Sequence, residues 1–226
     1  MKPVDAAGLV LIRQGRGEAE ILLGRRHGKS GFLPDIYVAP GGRVDPGDRR
    51  PSGFPETLHP QVNAELIGGG SRRPPLAFPR AALRETFEET GLLVGRPGGD
   101  ASPTAADQPV WRAYRARGLA PDFGGIDFLC RAITPVYSRR RFNTRFFLAD
   151  GAHCVGELRS NGELEDLAWR GESALRHLNI VDVTQYVLAE ALRRWQGGSP
   201  IGSQPPRLLN YRKDIMTLSR QRRPRR

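Results

Sequence analysis

Short apolar runs separated by polar turns mark the first part of the chain. Residues 4–13 and 20–25 are rich in Val, Ile and Leu and flank a polar segment, a pattern that predicts a β-hairpin. Residues 35–39 predict a third short strand, which leads directly into Pro40-Gly41-Gly42. From residue 49 to residue 75 no period is visible and Pro and Gly recur, so we interpret this stretch as a long loop or a small excursion.

Three later segments have the features of helices. The clearest is 79–90, because Pro suits a first helical turn and Gly91 can end a helix. The other two are 107–117 and 182–195, and the second of these places its apolar residues on one stripe. Strand-like composition is found in residues 128–136, 142–149 and 164–169. Strands mixed with three helices predict an α/β or α+β layer fold.

The composition is that of one ordinary globular domain or two small ones. The chain has 226 residues, of which 38% are hydrophobic and 26% charged, and this excludes collagen-like, coiled-coil and fully disordered proteins. The formal charge is +11, and the last twenty residues hold eight bases and one acid, so +7 of the charge lies there. We expect the terminal arginine run, residues 220–226, to be disordered and to attract nucleic acid only nonspecifically.

Cysteine usage and the N-terminus bear on location. The two cysteines, Cys130 and Cys154, have no Cys-x-x-Cys spacing, so neither a disulfide framework nor a cysteine zinc site is expected. The apolar run at residues 6–12 is too short for a signal-peptide core or a membrane span. The sequence therefore predicts a cytoplasmic protein without a membrane partner.

Three carboxylates share one face of the predicted helix 79–90. At about 100° per residue, Glu85, Glu88 and Glu89 fall within an arc of about 100°. Like charges at this spacing destabilise an isolated helix by about 0.2–0.5 kcal/mol per pair, and a hard divalent cation with oxygen ligands would compensate them. Arg84 lies on the same side and is suited to hold a carboxylate by paired hydrogen bonds. The alternative is an acidic helix face exposed to solvent.

The glycine-rich segment before this helix favours a metal site over an acidic face exposed to solvent. Gly41-Gly42-Arg43-Val44-Asp45-Pro46-Gly47-Asp48, followed later by Arg84-Glu85-Thr86-Phe87-Glu88-Glu89-Thr90-Gly91, resembles the signature of the Nudix hydrolase family. Asp48 stands where the family usually has Glu, and Thr86 where it usually has an aliphatic residue. The spacer between Asp48 and Arg84 is 35 residues instead of the common seven. A branch of the family similar to the peroxisomal coenzyme A diphosphatase interrupts its signature at this place.

The resemblance implies a fold, a domain organisation and an activity. It implies an α/β/α sandwich with a mixed β-sheet, with a Nudix domain over 1–196, an insertion at 49–76 and a C-terminal extension over 197–226. The implied activity is metal-dependent hydrolysis of a nucleoside diphosphate linked to another group, with coenzyme A or acyl-coenzyme A as the preferred substrate. The alternatives are an ADP-ribose or dinucleoside polyphosphate hydrolase, and a non-catalytic Nudix module that binds a nucleotide or RNA. A homodimer is left open.

The resemblance also implies roles for individual residues. Mg²⁺ or Mn²⁺ would be bound by Glu85, Glu88, Glu89 and the backbone carbonyl of Gly41. Arg84, Glu85 and Glu163 would act in catalysis, and the general base is left open among Glu85, Glu157 and Glu163. The candidates for substrate phosphate binding are four arginines, each of which could instead be an ordinary surface residue: Arg25, Arg26, Arg43 and Arg145.

Overall fold

The computed structural model of the chain describes residues 2–69, 71–98, 108–212 and 215–220. These residues form four α-helices: α1 (Pro60–Gly68), α2 (Ala77–Thr90), α3 (Pro109–Ala116) and α4 (Asp182–Gln196). They also form twelve strands: β1 (Val4–Gln14), β2 (Ala19–Arg26), β3 (Tyr37–Val38), β4 (Gly41–Arg43), β5 (Leu93–Pro97), β6 (Leu119–Pro121), β7 (Asp127–Ile133), β8 (Phe142–Asp150), β9 (Cys154–Val155), β10 (Leu164–Gly171), β11 (Arg207–Arg212) and β12 (Ile215–Arg220). None of the helices in these ranges combines the length and the hydropathy that a bilayer span requires.

The strands form one large sheet and one small one. In the large sheet the order is β10-β2-β1-β8-β7-β11-β12, with β3 added to β2 and β4 added to β1. The pairs β1–β8 and β7–β11 are parallel and the other pairs are antiparallel, so the sheet is mixed. The small sheet has the order β6-β5-β9.

Strand β1 lies at the centre of the molecule and is buried on both faces. Its side chains alternate between two apolar clusters, because successive residues of a strand point to opposite sides. Leu9 and Leu11 pack in the cluster that contains α1, α2 and α3, whereas Val10 and Ile12 pack in the cluster that contains α4. Helices therefore cover both faces of the sheet. The α/β fold with a mixed sheet between helical layers, predicted from the sequence, is confirmed.

One edge of β1 is shared by two strands, and this arrangement positions the glycine loop. Ile12 pairs with Ile21 of β2, whereas Ala7 and Gly8 pair with Gly42 and Gly41 of β4. Strand β4 is only three residues long, which is too short for a periodic signal, and it was not predicted. Its pairing places the two glycines beside α2, the helix that follows the insertion.

The stretch interpreted as a long loop contains a helix, so that interpretation was incomplete. Helix α1 begins with Pro60, and the Nδ1 atom of His59 accepts a hydrogen bond of 3.3 Å from the Gln61 N–H at its start. Val62 and Leu66, four residues apart, are buried in the cluster that contains α2. Two apolar positions in a segment rich in Pro and Gly give too weak a period to recognise from sequence.

Residues after position 197 contribute to the main sheet. Arg207, Leu208 and Leu209 of β11 pair in parallel with β7, and β12 pairs with β11 as a hairpin. Leu209 is fully buried in the cluster that contains α4. Residues 207–212 and 215–220 thus belong to the sheet, whereas residues 221–226, where disorder is predicted, lie outside the described residues. The domain boundary at residue 196 stays a prediction.

Candidate active site

Helix α2 presents the three glutamates predicted from the sequence. It begins at Ala77, two residues earlier than predicted, and ends at Gly91, whose φ of 75° closes the helix with a hydrogen bond of 2.8 Å from its N–H to the Phe87 carbonyl. Glu89 is buried and Glu85 is largely buried, whereas the side chain of Glu88 is 38% exposed. The acidic face is therefore turned mainly toward the protein and not toward bulk solvent.

The glycine loop lies directly against this face. The Gly41 N–H donates a 2.8 Å hydrogen bond to Oε2 of Glu89. A β-carbon at Gly42 would collide with the Glu85 carboxylate, and one at Gly41 would lie 2.5 Å from the Ala7 carbonyl oxygen. Gly41 requires glycine because rigid backbone lies against it, whereas a side chain at Gly42 would have to displace the Glu85 carboxylate.

Arg84 connects the acidic face to the glycine segment. Its Nε and Nη2 atoms donate to the two carboxylate oxygens of Asp48, each at 3.0 Å. Its Nη1 atom donates to Oε2 of Glu88 at 2.8 Å and lies 3.0 Å from Oε1 of Glu85. Nη2 also donates to the Arg43 carbonyl at 2.9 Å. The paired hydrogen bonds expected of Arg84 are thus made to Asp48, a partner that helical spacing alone could not identify.

The charges in this cluster are not balanced. Arg84 is the single guanidinium in contact with the carboxylates of Asp48, Glu85 and Glu88 among the described residues. Burial alone would lower the pKa of Arg84, but these carboxylates raise it above its usual value. Burial raises the pKa of Glu85 to about 7, although Arg84 opposes this effect, and the charge of Glu88 adds to it.

The pKa of Glu89 is raised more than that of Glu85. Burial raises its pKa to about 8, and the hydrogen bond from the Gly41 N–H acts in the opposite direction. The charges of Glu85 and Glu163 add to the rise, and that of Arg26 opposes it. Ionising both carboxylates would leave negative charge that Arg84, which contacts Glu85 but not Glu89, does not balance, and a bound divalent cation would favour the ionised form.

The donor atoms suit a hard divalent cation, but the side chains do not yet converge on one point. Within the described ranges, no group of three or more His, Cys, Asp or Glu side chains is arranged to hold a metal ion. Glu85 and Glu88 are turned to Arg84, and Glu89 is turned to the Gly41 N–H. All the oxygen donors are nevertheless carboxylates of one helix face. By chemistry and charge these residues fit a divalent ion, which would draw them from their present partners.

Two further candidates lie beside the glutamates. Glu163 is close enough to Glu85 and Glu89 for its charge to raise both pKa values. Arg26 lowers the pKa of Glu89, and its Nη2 atom donates to the Ser30 hydroxyl at 3.1 Å. The Nε atom of Arg26 is buried and has no hydrogen-bond partner among the residues that the structure describes. The fold therefore brings both residues to the acidic face of α2.

The neighbouring strand position, Arg25, points the other way. Its guanidinium donates to Asp35 at 3.0 Å and to Glu165 at 2.8 Å, because adjacent residues of a strand face opposite sides of the sheet. The side chain of Arg43 is exposed, and only its carbonyl contacts Arg84. Glu157 is also exposed, with its carbonyl near Gly91. These three residues do not join the carboxylates through their side chains.

Arg145 is part of the protein interior and is not accessible to a substrate in this structure. It has no exposed surface, and its Nη1 atom donates to Oδ1 of Asp5 at 2.7 Å. Its guanidinium lies 3.9 Å from the ring centroid of Phe78, and burial lowers its pKa to about 10. Its expected role in phosphate binding is corrected on this ground: a basic residue between aromatic strand residues here forms a buried ion pair with Asp5.

A cavity of about 320 Å³ adjoins Glu88 and is lined by Phe87, Glu88, Arg159, Ser160 and Asn161. Arg159 and Asn161 were not singled out from the sequence, because exposed polar loop residues give no signal in a single chain. Another cavity, of about 220 Å³, lies beside Arg96 and Asp122 and touches none of the glutamates.

Comparison with known proteins places these observations in a family context. No protein-family model matches the chain. A solved structure, the Nudix hydrolase from Alicyclobacillus acidocaldarius, is 30% identical in sequence and superimposes with a TM-score of 0.64. The match covers 91% of this chain and 99% of that one. The fold is therefore shared with that protein over nearly the whole length of both chains.

Two curated relatives share part of the sequence. The acyl-coenzyme A diphosphatase NUDT19 of Gallus gallus is 28% identical over an alignment of 188 residues, and the match covers 59% of this chain and 49% of the relative. The protein of the same name in Xenopus laevis is 34% identical over an alignment of 98 residues, and the match covers 34% of this chain and 26% of the relative. The chain thus spans about half the length of the first relative and about a quarter of the second.

Proposed function

Because the chain belongs to the Nudix hydrolase family, we propose that it hydrolyses the diphosphate of a nucleoside diphosphate linked to another group. The observation that carries this proposal is the acidic face of α2, where Glu85 and Glu88 share the guanidinium of Arg84 with Asp48 of the preceding glycine segment. A surplus of buried negative charge cannot receive an anionic diphosphate directly. It can do so once cations are bound between the two.

We propose Mg²⁺ or Mn²⁺ as these cations. The carboxylates of Glu85, Glu88 and Glu89 would hold them, with the backbone carbonyl of Gly41 as an additional oxygen donor. When bound, the ions neutralise the diphosphate, polarise a phosphoryl oxygen and lower the pKa of a water molecule. The hydrogen bond from the Gly41 N–H to Oε2 of Glu89, which brings the backbone of Gly41 beside α2, supports Gly41 in this role.

The chain's own residues position the site and accept a proton. Asp48 fixes the orientation of Arg84, so that Nη1 of Arg84 is directed at Glu85 and Glu88. We propose Glu163 as the general base, because it is exposed beside the glutamates, whereas Glu85 is largely buried and paired with Arg84. A carboxylate oxygen of Glu163 takes a proton from the attacking water, the water oxygen bonds to phosphorus, and the anhydride P–O bond breaks to give two phosphate monoesters.

Arg26 is the best placed of the four arginines for the substrate. Its Nε atom is buried without a partner beside Glu89, and a phosphate oxygen is the acceptor that a guanidinium binds most strongly. Arg25 is occupied by Asp35 and Glu165, and we assign it no substrate contact.

The proposed substrate is coenzyme A or an acyl-coenzyme A, cleaved to 3′,5′-ADP and a 4′-phosphopantetheine product. Both curated relatives are named acyl-coenzyme A diphosphatases, and this supports the choice although the chain covers only part of each.

We propose the cytoplasm as the location of the protein. Neither Cys130 nor Cys154 is paired in the described structure, as is usual in a reducing compartment.

The test is a panel of coenzyme A, acetyl-coenzyme A, dephospho-coenzyme A, ADP-ribose and a diadenosine polyphosphate. Each substrate is assayed with Mg²⁺ and with Mn²⁺, and the products are identified by mass. We expect the coenzyme A compounds to have the highest kcat/KM. An ADP-ribose kcat/KM about tenfold above every coenzyme A compound, a gap of about 1.4 kcal/mol, would overturn the substrate and leave the diphosphatase proposal.

The glutamates are tested in the same assay by charge removal at nearly constant shape. Glu88→Gln and Glu89→Gln are each expected to lower kcat/KM about 10²-fold or more and to weaken metal binding in a Mn²⁺ titration. Glu172→Gln is the matched control, because Glu172 is exposed and, within the described ranges, its side chain accepts a single hydrogen bond, from Gln196. Full activity in both α2 variants across the titration would show that the site assignment is wrong.

A further inference from the structure

The loop between β9 and β10 is held against the C-terminal end of α2. The Arg159 N–H donates a 2.9 Å hydrogen bond to the Thr90 carbonyl, one of the carbonyls that the end of a helix leaves without an internal partner. Gly156 has a φ of 126°, and a β-carbon there would lie 2.7 Å from the Gly91 carbonyl oxygen. These contacts fix the backbone of the loop, residues 156–163, and therefore the positions from which its side chains extend.

The second half of the loop is a turn closed by its own polar groups. The Ser160 hydroxyl bonds to the Leu164 carbonyl and accepts a 2.8 Å hydrogen bond from the Gly162 N–H. Oδ1 of Asn161 accepts a 2.9 Å hydrogen bond from the Glu163 N–H. The oxygen of the Asn161 side chain is therefore used, and its NH₂ group remains as a donor on the cavity wall.

The guanidinium of Arg159 has no hydrogen bond or ion pair with any residue that the structure describes. The stem of its side chain packs over Gly91, where a β-carbon would lie 2.8 Å from its Cγ atom. The arginines with fixed structural roles differ from it, since Arg84 and Arg194 each contact several acceptors. An exposed cation on the wall of a cavity is suited to an anionic ligand group.

The cavity shares Glu88 with the acidic face of α2, so one ligand can reach both places. Its volume of about 320 Å³ is at the lower end of the range for small-molecule pockets, about 300–1,000 Å³, and suits part of a nucleotide more than a whole one. Phe87 contributes apolar surface, whereas Arg159 and Asn161 contribute donors. This combination fits a phosphate monoester attached to a sugar.

We propose that Arg159, together with the Asn161 amide, binds a phosphate monoester that the substrate carries in addition to its diphosphate. The inference rests on the proposed function, because that function places the diphosphate at the glutamates next to this cavity. In coenzyme A the group of this chemistry is the 3′-phosphate. The loop 156–163 is then a specificity determinant as well as the segment that delivers Glu163.

The proposed phosphate site can be tested without turnover, by measuring the binding of nucleotides that the chain does not hydrolyse. Dissociation constants of 3′,5′-ADP and 5′-AMP are measured by calorimetry for the full chain and for Arg159→Ala, Arg159→Lys and Arg16→Ala. The control residue, Arg16, is an exposed arginine in the turn between β1 and β2. We expect 3′,5′-ADP to bind about tenfold more tightly than 5′-AMP, and Arg159→Ala to abolish this preference without changing the affinity for 5′-AMP.

The remaining variants separate a bound phosphate from a general effect of charge. Arg159→Lys is expected to keep part of the preference, because lysine retains the charge but not the paired geometry, and Arg16→Ala is expected to keep all of it. A preference that stays within twofold of the wild-type value in Arg159→Ala overturns the inference. The same conclusion follows if the wild-type chain does not distinguish the two nucleotides.

Hydrolysis of coenzyme A and dephospho-coenzyme A distinguishes failure here from failure of the proposed function. If neither compound is hydrolysed but the Arg159-dependent preference for 3′,5′-ADP is present, the proposed substrate is wrong and the phosphate site stands. If both are hydrolysed and Arg159→Ala leaves the ratio of their kcat/KM values unchanged, the phosphate site is wrong and the proposed function stands.

Discussion

The guanidinium of Arg84 donates to both carboxylate oxygens of Asp48, each at 3.0 Å, although the two residues are 36 positions apart. Asp48 is completely buried, and its Oδ2 atom also accepts a 2.8 Å hydrogen bond from the Asp45 N–H. The pair joins the segment that follows β4 to helix α2. It also leaves Nη1 of Arg84 directed at the glutamates that we propose as metal ligands.

Asp48→Asn is therefore expected to affect both stability and activity. An amide offers one acceptor where the carboxylate offers two, and its NH₂ group would face a guanidinium N–H. We expect the free energy of unfolding to fall by about 1.5–3 kcal/mol and kcat/KM to fall with it, because Arg84 loses its fixed orientation. Asp48→Glu keeps the charge and should retain more activity. Wild-type unfolding and wild-type turnover in Asp48→Asn would contradict the role given to this pair.

The two glycines of β4 should respond differently to alanine. A β-carbon at Gly42 meets the end of the flexible Glu85 side chain, whereas one at Gly41 meets the Ala7 carbonyl and the Gly8 Cα atom at 2.5 and 2.6 Å. Gly42→Ala should displace Glu85 and lower kcat about tenfold or more with little change in stability. Gly41→Ala should lower the free energy of unfolding by about 1–3 kcal/mol. Denaturant unfolding and steady-state kinetics of both variants measure these effects. A loss of stability in Gly42→Ala together with an unchanged stability in Gly41→Ala would contradict the prediction.

The stability of the metal-free chain should fall as the pH rises. In the folded protein burial raises the pKa of Glu85 to about 7 and that of Glu89 to about 8, whereas an unfolded Glu titrates near 4.5. The folded state thus holds more protons than the unfolded state between about pH 4.5 and 8, so the contribution of these groups to stability is complete below this window and is lost across it. Denaturant unfolding in EDTA at pH 5 and pH 8.5 measures the difference.

A variant and a metal provide the controls for this pH dependence. Glu89→Gln cannot titrate at this position and should flatten the profile, whereas Glu172→Gln should leave it unchanged. Saturating Mg²⁺ should also reduce the loss at pH 8.5, because a cation binds the ionised carboxylates. A metal-free chain that is more stable at pH 8.5 than at pH 5, with the same increase in Glu89→Gln, would contradict the electrostatics described for this face.

The C-terminal hairpin offers a test with a matched pair of leucines. Leu209 of β11 and Leu218 of β12 are register partners, but Leu209 is fully buried and Leu218 is 50% exposed. Leu209→Ala should lower the free energy of unfolding by about 2–5 kcal/mol, whereas Leu218→Ala should change it by less than about 0.5 kcal/mol. Equal effects measured by denaturant unfolding would mean that β11 is not part of the core.

The elements predicted from the sequence are those with a long or strong pattern. Strand β1, with its apolar run, and helix α4, with its apolar stripe, were predicted within one residue of their bounds. Strands β4, β6 and β9 have only two or three residues each, so no period can develop in them. Their existence depends on pairing partners that are distant in sequence.

The site residues that could be predicted are likewise those with a local pattern or a family motif. Glu85, Glu88 and Glu89 followed from local helical spacing, and Glu163 from the family resemblance. The partner of Arg145 could not be predicted, because Asp5 is 140 positions away and is brought beside it by the parallel pairing of β1 with β8. For the same reason Arg145 was expected at the substrate, whereas the structure buries it. The free guanidinium of Arg159 is visible only once its neighbours are known.

The insertion between Asp48 and Arg84 lengthens the loop that their contact closes, at a small cost in closure entropy. Forming their contact closes a loop of 36 residues, where the common family spacing would close one of about eight. Because closure entropy grows only with the logarithm of loop length, the longer loop costs about 1.3 kcal/mol more. This is less than the hydrogen bonds of one buried charged pair contribute, and the burial of Val62 and Leu66 of α1 offsets it further. Natural variation in this family can therefore accumulate in this segment without opening the contact on which the acidic face depends.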